Sequence, residues 1–146
     1  MKAKTTFWTV QKNGGISRID FCKSNPVKST YEMLWGHIKR TATNPKLEDQ
    51  SHIQNTMRRI LEHYFAVYGQ IPLKDLPMEL DVADRPIAKS LLACVNDGSH
   101  SSFDDIYYTP PIADGVERYL SIFRIIFEKT GHIAHYNMMM GIQDGD

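Results

Sequence analysis

Residues 51–69 read SHIQNTMRRILEHYFAVYG. Apolar side chains recur at Ile53, Met57, Ile60, Leu61, Tyr64 and Tyr68. Steps of three and four place them on one face of an α-helix, whose turn holds roughly 3.6 residues. Ser51 stands where an N-cap belongs, and Gly69 stands where a helix stops. This is the clearest helix in the chain, and a stripe of that kind must be covered by something. The segments on either side therefore decide the fold.

Upstream, STYEMLWGHIKR opens with a capping box in which Ser29 caps and Glu32 reaches back. Tyr31, Leu34, Trp35 and Ile38 share a helical face. TATNPKLEDQ reads as a loop between the two helices. Further back, FWTVQKNGGISRIDF alternates on both sides of Asn13-Gly14-Gly15, which supplies the positive φ angles of a tight hairpin turn. A lone hairpin is marginal in water, so it packs on the helices or belongs to a sheet on another chain.

Downstream, Pro72 and Pro77 mark a connector. A third helix runs from about Asp84, with Pro86 in its first turn, to Asn96. Residues 101–113 contain Thr-Pro-Pro and read as loop. ADGVERYLSIFRIIFEKTG is a fourth helix with Val116, Tyr119, Leu120, Phe123, Ile126 and Phe127 facing inward. After Gly131, HIAHYNMMMG makes a short last helix, with Met138, Met139 and Met140 as core filler. The expected fold is mainly α: a helical bundle with an N-terminal β-hairpin, divided into a hairpin over 1–24 and a helical domain over 25–146.

The composition fits a soluble globular chain. It has 146 residues, 42% apolar and 23% charged. Cys22 and Cys94 lack any metal-binding or redox spacing and read as reduced cytosolic thiols. No apolar run is long enough for a membrane span and the start lacks a signal peptide, so the expected setting is cytoplasmic, with no membrane partner. The net charge of zero hides an asymmetry. Residues 1–46 hold nine Lys/Arg against two Asp/Glu, a local +7, while the remainder carries −7. A basic third suits nucleic acid or an acidic partner; it also suits simple attraction between the two parts of the chain.

Within MRRILEHYF, Arg58 and Glu62 are four apart, about 40° from each other around the helix. One reading is a solvated i,i+4 ion pair contributing about 0.2–0.5 kcal/mol. The other is chemical. RNA is cleaved without metal when its 2′-hydroxyl attacks the adjacent phosphorus. That step needs a base at the hydroxyl, an acid at the leaving 5′-oxygen and a cation on the phosphate. Glu62 is the candidate base and Arg58 the candidate clamp, its planar fork matching a phosphate. His100, in NDGSH after the third helix, is the candidate acid; its plain alternative is a helix-end decoration or a satisfied buried imidazole. Arg58 and His63 form R-x4-H, a motif of small helical ribonucleases. Five residues on a continuous helix set them about 140° apart, so His63 ranks behind His100 unless a neighbouring copy supplies it. His132 and His135 share a face as a metal pair would, yet no partner ligands have the usual spacing, and packing histidines are the simpler reading. No G-x-x-x-x-G-K-S/T occurs, so this chain has no P-loop of its own.

Four ordered blocks, NPVKSTYEMLW, IQNTMRRILEHYF, LLACVNDGSHSSFDDIYY and IFEKTGHIAHYNMMMG, resemble the C-terminal part of the AAA-type anticodon nucleases, the PrrC-like and RloC-like proteins of bacterial phage defence. The resemblance covers nearly the whole chain. It implies a HEPN-like helical toxin domain that cuts a tRNA anticodon loop with no cofactor, using an Arg-x-x-x-Glu pair and a downstream His that match Arg58, Glu62 and His100. It also implies RNA contacts from the segment before the first helix, which places Asn25, Lys28, Ser29 and Tyr31 at the substrate. An acidic residue of some relatives is Lys23 here, which bears on which tRNA is read. The opening hairpin resembles the last strands of the family's ATPase head, whose Walker motifs this chain lacks. The implied partners are tRNA, an AAA-type ATPase chain and a second copy of the chain itself. The competing function is a non-enzymatic fragment or interaction module that docks on such an ATPase through the hairpin.

Overall fold

The protein's structure, a computed structural model, describes residues 5–47, 49–93 and 114–143. His100, Cys94, the expected helix end at Asn96 and the expected loop at 101–113 lie outside the described residues. The architecture is mainly α with an N-terminal antiparallel hairpin, as expected.

Strand β1 (Phe7–Asn13) pairs with β2 (Ile16–Cys22), and Asn13 opposite Ile16 closes a two-residue turn. Gly14 sits there at φ 62°, a conformation that side chains with a Cβ resist. The register sets Trp8 opposite Phe21 and Val10 opposite Ile19. Period-2 alternation puts all four on one face, and each is more than half exposed. The hairpin thus keeps its apolar face uncovered instead of laying it on the helices.

Helix α1 spans Thr30–Thr43 and starts with the expected capping box on Ser29 and Glu32. It runs on into the segment read as a loop. Thr41 and Thr43 donate their hydroxyls back to the carbonyls of His37 (2.9 Å) and Lys39 (3.1 Å), so these β-branched side chains are satisfied within the last turn. Helix α2 spans Gln50–Tyr64. Its cap is Asp49, which accepts from the Ser51 and His52 amides at 2.9 and 3.2 Å, so Ser51 lies inside the helix.

Beyond Tyr64 the backbone widens into a π turn over Phe65–Gly69. Five-residue spacing rotates the following side chains off the 3.6-residue stripe. Phe65, four residues after Leu61, is buried in the core, and Tyr68, expected on the stripe, is 67% exposed. A 3-10 stretch over Leu73–Glu79 carries Pro77 and leads to α3 (Arg85–Ala93). Helix α4 is Gly115–Lys129, and α5 is Ile133–Met140 after the Gly131 break. Met139 and Met140 pack against the core, but Met138 is 66% exposed and fills nothing.

The core forms where α2 meets α1, α3 and α4. Ile53, Met57, Ile60 and Leu61 of α2 are fully covered, and Trp35 of α1 is 1% exposed among Phe123, Phe127 and Tyr136. Polar ties fix the helices in register. Gln54 Nε2 donates to the Ser90 carbonyl at 2.6 Å, the Ser90 hydroxyl lies 2.9 Å from that of Tyr119, and His37 Nδ1 lies 2.8 Å from Thr56 Oγ1. No described helix is long and apolar enough to cross a membrane.

Candidate functional site

The last two turns of α2 present two groups of side chains. The first is the ion pair. Arg58 Nη2 donates to Glu62 Oε2 at 3.4 Å, and Arg58 Nη1 donates to Asn55 Oδ1 at 3.4 Å. The Arg58 side chain is 16% exposed and that of Glu62 is 42% exposed. The guanidinium is thus held in place by its surroundings while the carboxylate reaches solvent. This arrangement can clamp an anion and accept a proton from a group approaching from outside.

The second group begins one residue later. His63 is exposed and its ring lies 4.9 Å from that of Tyr31 on α1. Tyr31 OH lies 2.7 Å from His135 Nε2 on α5, and the two rings are stacked at 27° with centroids 5.9 Å apart. His135 in turn stacks on Tyr64 at 4.2 Å and 21°. Tyr64 OH lies 2.9 Å from His132 Nδ1. Tyr31, His63, Tyr64, Tyr68 and His135 line an open cavity of about 370 Å³.

Burial governs the protons here. It pushes the Tyr31 phenol up to about 12, against an opposing pull from the Trp35 indole N–H. It pulls His135 below its ordinary 6.5, with the neighbouring His132 acting in the same direction. Burial also raises Tyr64, helped by Tyr68. A phenol that keeps its proton and an imidazole that resists one match as donor and acceptor, so His135 accepts at Nε2 in its neutral form.

A pH dependence follows. The folded state binds a proton at His135 less readily than the unfolded chain, so the stability linked to this group is complete above about pH 6.5 and declines as pH falls through the lower folded value. Urea midpoints should fall as the pH is lowered below about 6.5, and His135→Gln should flatten that portion of the curve. An unchanged slope in the variant would remove His135 as the source.

Among the substrate candidates, only Tyr31 reaches this cavity. Asn25 Oδ1 accepts from the Val27 amide at 3.0 Å, shaping the chain before α1. The Ser29 hydroxyl accepts from the Glu32 amide at 3.1 Å as the cap of α1, and Lys28 is exposed beside it. Arg58 and Glu62 are together as expected, and His100 lies outside the described residues. His132 and His135, read as packing side chains, do pack on Tyr64, and each also meets a tyrosine hydroxyl. Among the described residues no group of three or more His, Cys, Asp or Glu is arranged to hold a metal ion. The cavity residues His63, Tyr64, Tyr68 and His135 were not foreseen as a set. The crowding of Tyr and His in HYFAVY and HIAHY was the available signal.

Fold and site together define a mainly helical chain with an N-terminal hairpin, a tyrosine–histidine cavity and, on the same helix α2, an arginine–glutamate pair. A family profile described as an AAA domain matches residues 1–128, from the hairpin to the penultimate residue of α4. The chain belongs to that AAA domain family. No curated protein and no solved structure matches it.

Proposed function

We propose that the chain is a metal-independent endoribonuclease domain of the anticodon-nuclease type, acting on tRNA in phage defence. The observation that supports it most is the half-open Arg58–Glu62 pair, with the cation largely buried and the carboxylate accessible. In the reaction, Glu62 takes the proton of the 2′-hydroxyl as its oxygen bonds to phosphorus. The bond from phosphorus to the 5′-oxygen breaks, and that oxygen takes a proton from the imidazolium of His100, assigned from the family resemblance. Arg58 neutralises the crowded phosphate. The products are a 2′,3′-cyclic phosphate and a 5′-hydroxyl. The split at residue 24, with the hairpin belonging to an ATPase head, is part of the same proposal.

Brief expression followed by mapping of RNA ends tests this reading. The expected result is tRNA cut in the anticodon loop with a cyclic-phosphate end, unaffected by chelator. Intact tRNA, or cutting that chelator abolishes, overturns it. A second reading draws on the bare face of Trp8, Val10, Ile19 and Phe21. An exposed apolar hairpin invites addition to another sheet, which fits a module docking on an AAA-type ATPase chain. That reading expects association through Phe7–Phe21 and indifference to changes at Glu62.

A further inference from the structure

We infer that the cavity between α1, α2 and α5 takes a single unstacked base of single-stranded RNA. This rests on the ribonuclease reading and adds where the substrate is held. Five aromatic rings line the cavity. Tyr64, His135, Tyr31 and His63 follow one another at interplanar angles of 21°, 27° and 39°. Rings leaning that way form a lamellar series, which a flat heteroaromatic ring extends by stacking. A cage for an organic cation would instead need faces converging from several directions, and among the described residues no carboxylate lines this cavity.

The polar rims are already occupied, Tyr31 by His135 and Tyr64 by His132, so the ring faces are what the cavity offers a ligand. At about 370 Å³ it lies within the range of small-ligand sites. Exposed Lys28 precedes Tyr31 by three residues and exposed Arg59 precedes His63 by four, which supplies cations for a phosphate backbone. The cavity's His63 and Tyr64 belong to the same helix, α2, as the Arg58–Glu62 pair, on a different side of it.

The test uses the whole chain and a short 2′-O-methyl RNA oligonucleotide, which has no nucleophilic 2′-hydroxyl and stays uncut. Fluorescence anisotropy reads its affinity. Tyr68 and His63 are exposed, so their variants keep the core intact. Tyr68→Ala and His63→Ala should each weaken binding about tenfold, the loss of a stacked base, while Tyr68→Phe stays within about twofold. A fully paired duplex of the same sequence should bind all variants alike. Unchanged oligonucleotide binding in both alanine variants overturns the inference. So does an equal loss on the duplex, which would mark plain backbone attraction. Adenosine monophosphate binding as tightly as the oligonucleotide, with the same Tyr68→Ala loss, would assign the cavity to a free nucleotide instead. Because the probe cannot be cleaved, failure of the catalytic assignment would show in cleavage of unmodified tRNA and leave these affinities as they are.

Discussion

Replacing Glu62 with alanine is expected to lower the rate of tRNA cleavage by about 10²–10⁴-fold, the usual contribution of a positioned proton acceptor. Folding should barely change. The pair is an i,i+4 bridge on the rim of α2, with Glu62 partly in solvent, and such pairs contribute about 0.2–0.5 kcal/mol. That separation between a large kinetic and a small thermodynamic effect distinguishes a base from a surface charge. Arg58→Ala should cost about 10²–10³-fold through the lost charge on the phosphate. Arg58→Lys should recover only part of it, since an ammonium lacks the planar fork that also reaches Asn55. Initial rates of cyclic-phosphate formation, paired with denaturation midpoints, check both. Wild-type rates in Glu62→Ala would sink the catalytic assignment and leave the docking reading. A rate loss that tracks unfolding would sink it too.

What could be read from the chain and what could not divides along the distance over which each feature is encoded. Asn13-Gly14-Gly15 specifies a tight turn by itself, and the hairpin follows. Ser29 and Glu32 specify a helix start by themselves, and α1 begins there. The Arg58–Glu62 pair needs only one helical turn. Errors arise where a local rule meets a second one. Asp49 outcompetes Ser51 as cap because its carboxylate reaches two amides at once. Tyr68 leaves the stripe because the helix changes pitch after Tyr64, which a fixed 3.6-residue period does not anticipate. The cavity is the extreme case. Tyr31 and His135 are 104 residues apart, and only packing of α1 and α5 on α2 brings their rings together. Nothing in either segment's periodicity marks it.

Trp35→Ala should have the largest effect on folding. The indole touches Phe123, Phe127, His135 and Tyr136 with ring centroids 5.3–6.0 Å apart, so it joins α1 to both C-terminal helices. Truncating a buried aromatic to alanine costs about 3–5 kcal/mol, against about 5–15 kcal/mol for a whole domain. The chain should be partly unfolded in mild urea. Trp35→Phe should behave very differently. The indole N–H is buried, and among the described residues no acceptor stands in hydrogen-bond geometry to it. An uncompensated buried donor costs about 1–3 kcal/mol, so phenylalanine loses contact area but sheds that cost. A loss far below that of alanine is expected, read as urea midpoints at constant slope. Equal losses for the two variants would show that the indole N–H is satisfied after all, and that the ring's full outline is what holds α1 against α4 and α5.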